Sequence, residues 1–448
     1  MSIRTLRSAL CVGAAFLTAA AAGCSEFLEV KNPGAIEEKN IDNPAYLSLL
    51  VNGVIGEFQP ANTSVALYGA VLSDEVSNWH GFSENIEIDN RSVGAGNGTM
   101  RDGVYVPMQS TRFLADSTIG LLKQFLGDTA SRDVRLARVQ AYAGYAYVLL
   151  AENMCYAPIG IGRSYSSDEL FAIAVDRFKD ALATAAAAKT YNASLGANGT
   201  KNVASADSIL NLANVGAARA SLDLNKKAEA IAYASAVPTG FAFKSYYSAN
   251  SARENNSFFA AASNGQAAEW IGVSNTPFAG ITNDPRVPRP ATTEGTMQGQ
   301  TFVPKSPLQF STYNNTLTGA QFTRDAAMTF SSGLEAQYIL AEAQGATAAN
   351  VTFLNSRRTI GNMTPLVAPS ETDFQAALRE QRARDLYLAG YRVGDLRRYK
   401  KLYNVDLWQK GPYSGPPTVS VPATFGDAEC FPLPLAELNG NPAASSHP

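Results

Sequence analysis

Residues 378–401 read LREQRARDLYLAGYRVGDLRRYKK. Leu378, Leu386, Ala389, Val393, Leu396 and Tyr399 recur at spacings of three, four or a doubled four, which predicts one apolar helical face. Charges fall at helical spacing too. Glu380 reaches Arg384 at i+4, Arg382 reaches Asp385 at i+3, and Asp395 lies three residues from both Arg392 and Arg398. On a solvated helix such pairs contribute well under about 1 kcal/mol each. Arg382, however, sits inside the apolar stripe, where a guanidinium must be paired and can cap carbonyls of neighbouring elements. The stretch is therefore expected to act as a buried clasp rather than as a catalytic site.

The chain outside this stretch sets broad bounds. Of 448 residues, 46% are hydrophobic and 17% charged, a composition that fills a large core and leaves a weakly charged exterior. Arg4 and Arg7 precede the apolar run Ala9–Ala22, which ends at Ala21-Ala22-Gly23-Cys24. Residues 1–23 are read as a secretory signal, and the small residues closing on Cys24 resemble a lipobox, which implies acylation of Cys24. No other run is long enough to span a bilayer. Loss of Arg4 and Arg7 from 36 basic and 39 acidic residues leaves a net charge near −5, which argues against a nucleic-acid or anionic-lipid surface. The only histidines are His80 and His447, so no cofactor, metal site or His-dependent triad is expected.

Helical patterning is expected from near Asn43 to Phe58 and again from Ala66 to Trp79. Three long helices follow between Tyr105 and Ala188. The middle one, Val134–Met154, alternates small residues with tyrosines, so a neighbour can approach closely. Further pairs are read at Ser208–Leu222 with Lys226–Ala236, and at Leu334–Gln344 with Asn350–Ile360. The expected class is mostly α, with tetratricopeptide-like helix pairs in an α-solenoid-like scaffold. From about 240 to 332, prolines and polar residues break the pattern, and a long irregular insertion is expected. Long ordered loops on a rigid scaffold commonly carry function.

Three tryptophans occur in the chain. Trp79 stands between Asn78 and His80, and Trp270 precedes Ser274 and Asn275. An aromatic face beside amides suits stacking on a sugar or an apolar ligand, although a core Trp closing the scaffold reads equally well at position 79. Asn78, Trp79, His80 and Trp270 are the candidate ligand residues. With Cys24 modified, Cys155 and Cys430 remain in the exported chain and are expected to form a disulfide, with two separately buried thiols as the alternative.

Several segments together carry a resemblance. Gln381-Arg382, Asp385-Leu386, Gly390, Arg392, Asp395-Leu396 and Arg398 resemble the C-terminal signature of the SusD/RagB outer-membrane nutrient-binding lipoproteins. That family usually has Glu at the positions of Gln381, Asp385 and Ala389. Asn283-Asp284-Pro285-Arg286, Tyr338-Ile339-Leu340-Ala341-Glu342-Ala343, Leu354-Asn355 with Arg357, and Phe431-Pro432-Leu433-Pro434 through Asn441-Pro442 follow the family's order. The resemblance runs from Cys24 to Pro442 and implies one SusD-like domain over 24–448. It further implies a lipid-anchored protein on the cell outer membrane that binds a nutrient, most often an oligosaccharide, and delivers it to a SusC-type TonB-dependent transporter.

A peptide or other small nutrient is the alternative ligand. A carboxylate-based glycoside hydrolase using Asp74 and Glu75 near Trp79 is the alternative activity, weakened because adjacent helical residues point in different directions. If Cys24 carries the anchor, Cys24→Ser shifts the protein out of the detergent-extracted membrane fraction. Retention there at the parental level contradicts the assignment.

Overall fold

The computed structural model describes residues 46–446 apart from 80, 264–269, 274, 282, 288–294, 298–299, 303–313, 316–319, 322 and 416–419. Its first helix, α1 (Leu47–Leu72), corrects the sequence reading of two helices, for it runs unbroken through Pro60. Val54, Phe58, Ala61 and Val65 recur at spacings of four, three and four, and all are buried. Packing of that stripe outweighs the roughly 3 kcal/mol that an interior proline costs a helix. The helix stops short of Trp79, which follows a two-residue strand, β1 (Ser77–Asn78).

The three long helices are α2 (Val106–Leu126), α3 (Val134–Asn153) and α4 (Ser167–Ser194). A Ser166–Glu169 capping box starts α4 and satisfies its first backbone donors. Helices α5 (Thr200–Asp223) and α6 (Lys227–Ser235) form the next pair. Close approach is built into the middle of this stack. A Cβ on Gly144 of α3 would lie 2.5 Å from the Phe178 ring of α4, and one on Gly216 of α5 would lie 2.2 Å from it. Phe178 thus occupies space that only glycine leaves.

Strand β2 (Ala242–Ser245) opens the insertion, β3 (Ile271–Gly272) lies within it, and β4 (Met328–Ser332) closes it. β2 and β4 pair antiparallel, Ala242 opposite Ser332 and Ser245 opposite Met328, so the insertion leaves and rejoins the scaffold at one place. Phe330 of β4 is buried among Phe58, Tyr145 and Phe243, with ring centroids 5.0–5.5 Å apart. Helices α7 (Gly333–Gln344) and α8 (Ala348–Ile360) complete the expected pairs. The scaffold is mostly helical, as the spacing predicts.

The 378–401 stretch is not one helix. Helix α9 (Glu371–Asp385) ends before a reversal, and α10 (Arg392–Tyr403) begins after it. Leu388 and Gly390 have φ of +60° and +84°, the left-handed region that ends a helix. The reversal stays inside the protein, with Leu386, Tyr387, Leu388 and Tyr391 all buried, so its apolar pattern mimics a continuous helical face.

That reversal rearranges the expected ion pairs. Arg382 donates to Asp395 across the turn at 2.7 Å, and Asp395 also accepts from Arg398 at 2.7 Å. Arg398 reaches Glu342 as well, at 2.9 and 3.0 Å. Asp385, freed from Arg382, accepts from Arg286 (3.1 Å), from Arg357 (2.7 and 2.8 Å) and from the Tyr338 hydroxyl. Arg286 further donates to Asp284 and to Gln381 Oε1 at 2.9 Å. Gln381 and Asp385 therefore both join the network. Only Glu380–Arg384 and Asp395–Arg398 pair as the spacing predicts.

A disulfide joins Cys155, just after α3, to Cys430 near the C-terminus, with Cα atoms 5.0 Å apart. Phe431 N–H donates to the Asn153 carbonyl at 2.8 Å, so the terminal segment is held against the end of α3.

Removing one partner from a buried ion pair strands the others and costs about 3 to 5 kcal/mol. Asp385→Ala is expected to lower stability by that amount in urea unfolding, and a loss below about 1 kcal/mol contradicts the clasp.

Candidate ligand-binding site

After α1 the backbone turns sharply. Asp74 takes φ +59°, and the Glu75 N–H returns to the Ala70 carbonyl at 2.9 Å. The chain then extends as β1 and pairs antiparallel with β3, Ser77 opposite Gly272 and Asn78 opposite Ile271. The ladder continues one step, because Trp79 N–H donates to the Trp270 carbonyl at 2.7 Å. Two tryptophans separated by 190 positions are thereby brought side by side at the edge of a two-stranded ladder.

Both tryptophans are half-buried. The Trp79 indole N–H donates to Ser77 Oγ at 3.0 Å. The Trp270 ring stacks on Tyr68 of α1, with centroids 6.1 Å apart and planes 27° apart. Tyr68 in turn lies over Gly103, where a Cβ would sit 2.3 Å from its ring. Tyr68 carries no sequence signal beyond being an aromatic residue within the expected Ala66–Trp79 helix.

The other candidates fare differently. Asn78 is 1% exposed, so it lies in the interior with its strand and not on the expected ligand surface. Asn275 Nδ2 donates to the Ser414 carbonyl at 3.0 Å, and its own carbonyl accepts from Gln409 at 2.9 Å. This asparagine therefore ties the insertion to the 409–414 segment. His80 and Ser274 lie outside the described residues.

A buried polar layer holds the turn that leads to β1. Glu75 accepts from the Leu388 N–H at 3.2 Å through Oε1, and its carbonyl accepts from the Tyr387 hydroxyl at 3.0 Å. Tyr387 packs on Phe278 of the insertion at 4.8 Å. Arg392, expected to pair with Asp395, donates instead to the Ser73 carbonyl at 2.8 Å and lies 4.9 Å over Phe278. Among the described residues Asp74 Oδ2 and Glu75 Oε2 have no hydrogen-bond partner. Burial pushes both carboxyls up to about 7, against the opposing pull of Arg392 and, for Asp74, of Arg91.

These two groups bind protons more tightly in the folded chain than in the unfolded one, where carboxyls titrate near 4. Their contribution to stability is complete below about pH 4 and is lost as the pH rises through about 7. A variant carrying Asp74→Asn and Glu75→Gln lacks that loss. It should gain about 5 kcal/mol on the parent between pH 5 and pH 8, about half of it from each group, read from urea midpoints; a constant difference between the two proteins contradicts the shift.

The geometry offers aromatic faces backed by a rigid ladder. Asp74 and Glu75 are 4% and 1% exposed, so neither carboxylate lies on the surface. Among the described residues no three His, Cys, Asp or Glu side chains are placed to hold a metal ion.

No protein-family model matches the chain, and no curated protein matches it. Solved structures do. A SusD superfamily protein from Bacteroides fragilis superposes with a TM-score of 0.61 at 12% identity, over 90% of this chain and 99% of that one. A SusD-like carbohydrate-binding protein from Bacteroides vulgatus gives 0.58 at 13% identity, over 90% and 98%. A SusD/RagB family protein from Bacteroides thetaiotaomicron gives 0.56 at 16% identity, over 89% and 94%. With about nine-tenths of this chain and nearly all of each of the others superposed, the helical scaffold has the SusD-like fold.

Proposed function

We propose that the protein is a non-enzymatic outer-membrane lipoprotein that captures an oligosaccharide on the Trp79–Trp270 surface and passes it to a SusC-type TonB-dependent transporter. The observation that carries this reading is the Trp79–Trp270 backbone bond, which unites the two residues that aromatic chemistry singles out. The likeness to a structure named for carbohydrate binding supports a glycan over a peptide. Residues 24–448 act as one domain held to the membrane by the lipid on Cys24, with Ser48–Pro448 forming a compact unit. No described helix is long and apolar enough to cross a membrane.

In this reading the rings of Trp79, Trp270 and Tyr68 supply stacking faces, and His80, next in sequence, supplies a hydrogen-bonding group. Asn78 acts from below by fixing the strand. Stacking contributes about 1 kcal/mol per ring beyond area burial, so affinity falls in the micromolar to millimolar range. Weak capture suits a protein that must release its ligand to a transporter.

Incubation with oligosaccharides separates binder from hydrolase: a binder retains them, whereas shortened products would establish the enzyme. On a retained glycan, Trp79→Ala and Trp270→Ala should each weaken binding about tenfold by calorimetry. Because both rings are only half-buried, thermal stability should fall by much less than the 3 to 5 kcal/mol of a core Trp. Normal affinity with a large loss of stability would make both residues packing and place the ligand elsewhere.

A further inference from the structure

A cavity of about 290 Å³ lies between α3, α4, α5 and α10, at the small end of ligand pockets. Two helix C-termini meet there. Glu152 is the last residue but one of α3 and Asp223 is the last of α5, and both line the cavity. The carboxyl end of a helix carries partial negative charge and favours a cation. Gly394 of α10 makes the room, since a Cβ there would lie 2.7 Å from Glu152 Cγ.

The floor of this cavity is short of positive charge. Glu152 and Asp223 are 2% and 5% exposed, and among the described residues Glu152 Oε2 and Asp223 Oδ2 have no hydrogen-bond partner. Arg219 stands 3.7 Å from Glu152 Oε2 and is held by Glu335 at 2.5 Å. Arg398 reaches Asp223 Oδ1 at 3.3 Å and directs its other donors to Glu342 and Asp395. Burial holds both carboxyls above the usual carboxylate range, against the pull of Arg219 on Glu152 and of Arg398 on Asp223.

The remaining cations of the wall are already engaged. Arg397 donates to the carbonyls of Ala151, Glu152 and Met154 at 2.9, 2.6 and 3.0 Å, and to Ser167 Oγ at 2.8 Å. At the rim Lys400 pairs with Glu429 and Lys401 with Asp168. An anion would have to displace a partner from each of these donors, whereas a ligand that brings its own N–H groups completes the two carboxylates. Among the described residues no three His, Cys, Asp or Glu side chains are placed to hold a metal ion, which favours an organic cation. Ala151 and Phe171 add apolar wall.

We propose that this cavity binds a small primary ammonium compound, its carbon body against Ala151 and Phe171 and its N–H groups on the carboxylates of Glu152 and Asp223. Its ligand need not be the glycan held at Trp79 and Trp270.

The test titrates the chain lacking residues 1–24 with n-propylammonium chloride at about pH 8, where an alkylammonium is charged. Potassium chloride holds the ionic strength constant, and 1-propanol serves as the neutral isostere. By ligand-observed NMR propylammonium should bind saturably in the millimolar range, and propanol should not. Glu152→Gln and Asp223→Asn keep the side-chain shape while removing a charge, and each should weaken propylammonium binding at least about tenfold. Parental affinity in both variants would overturn the site, as would equal binding of propanol or no saturable binding to the parent. Should either variant fail to fold, the comparison of propylammonium with propanol on the parent decides.

Discussion

Asp385 is closed off from solvent, and Arg286, Arg357 and the Tyr338 hydroxyl all converge on it. The donors come from the insertion, from α8 and from α7, so one carboxylate ties three separated stretches to α9. A buried carboxylate is costly unless it is fully paired, and this one is met by two guanidinium groups and a hydroxyl. Specific geometry follows from that requirement. Any slippage between these elements would leave a charge unpaired in a low-dielectric interior.

The constraint reaches the candidate site through the reversal that follows Asp385. Leu388 and Tyr387 hold Glu75 by its carboxylate and its carbonyl, and Phe278 packs on Tyr387 from the insertion side. The turn after α1 and the part of the insertion just after β3 are thus gripped by the same buried loop. Strands β1 and β3 extend from those two gripped segments and meet in a two-residue ladder. So short a ladder is not independently stable in water. Its position depends on the packed turn behind it, which makes the tryptophan surface an outgrowth of the clasp.

Much of the scaffold was legible because its signals are local. Small residues at helical spacing in α3 announced close packing, and Phe178 fills the gap between Gly144 and Gly216. The charged stretch announced burial through Arg382, which is indeed enclosed. Its partners were not legible. Spacing within one helix assigned Asp385 to Arg382, whereas a left-handed Leu388 and Gly390 fold the stretch back and pair Arg382 with Asp395. A single apolar period cannot distinguish a straight helix from two helices joined by a buried turn. Pro60 misled in the opposite sense, since tertiary packing carried α1 through it.

At the site, Trp79 and Trp270 were legible as aromatic residues with polar neighbours, but their adjacency comes from a register that no local pattern encodes. Tyr68 was invisible for the same reason. If ligand meets Trp79 and Trp270 as proposed, the third tryptophan, buried Trp408, stays apart from it. Fluorine NMR of the chain carrying 5-fluorotryptophan, titrated with a glycan that the protein retains, tests this directly. The signals of Trp79 and Trp270, assigned by Trp→Phe substitution, should both shift while that of Trp408 stays fixed. Saturable binding of the glycan with the Trp79 and Trp270 signals unmoved would place the ligand away from both residues.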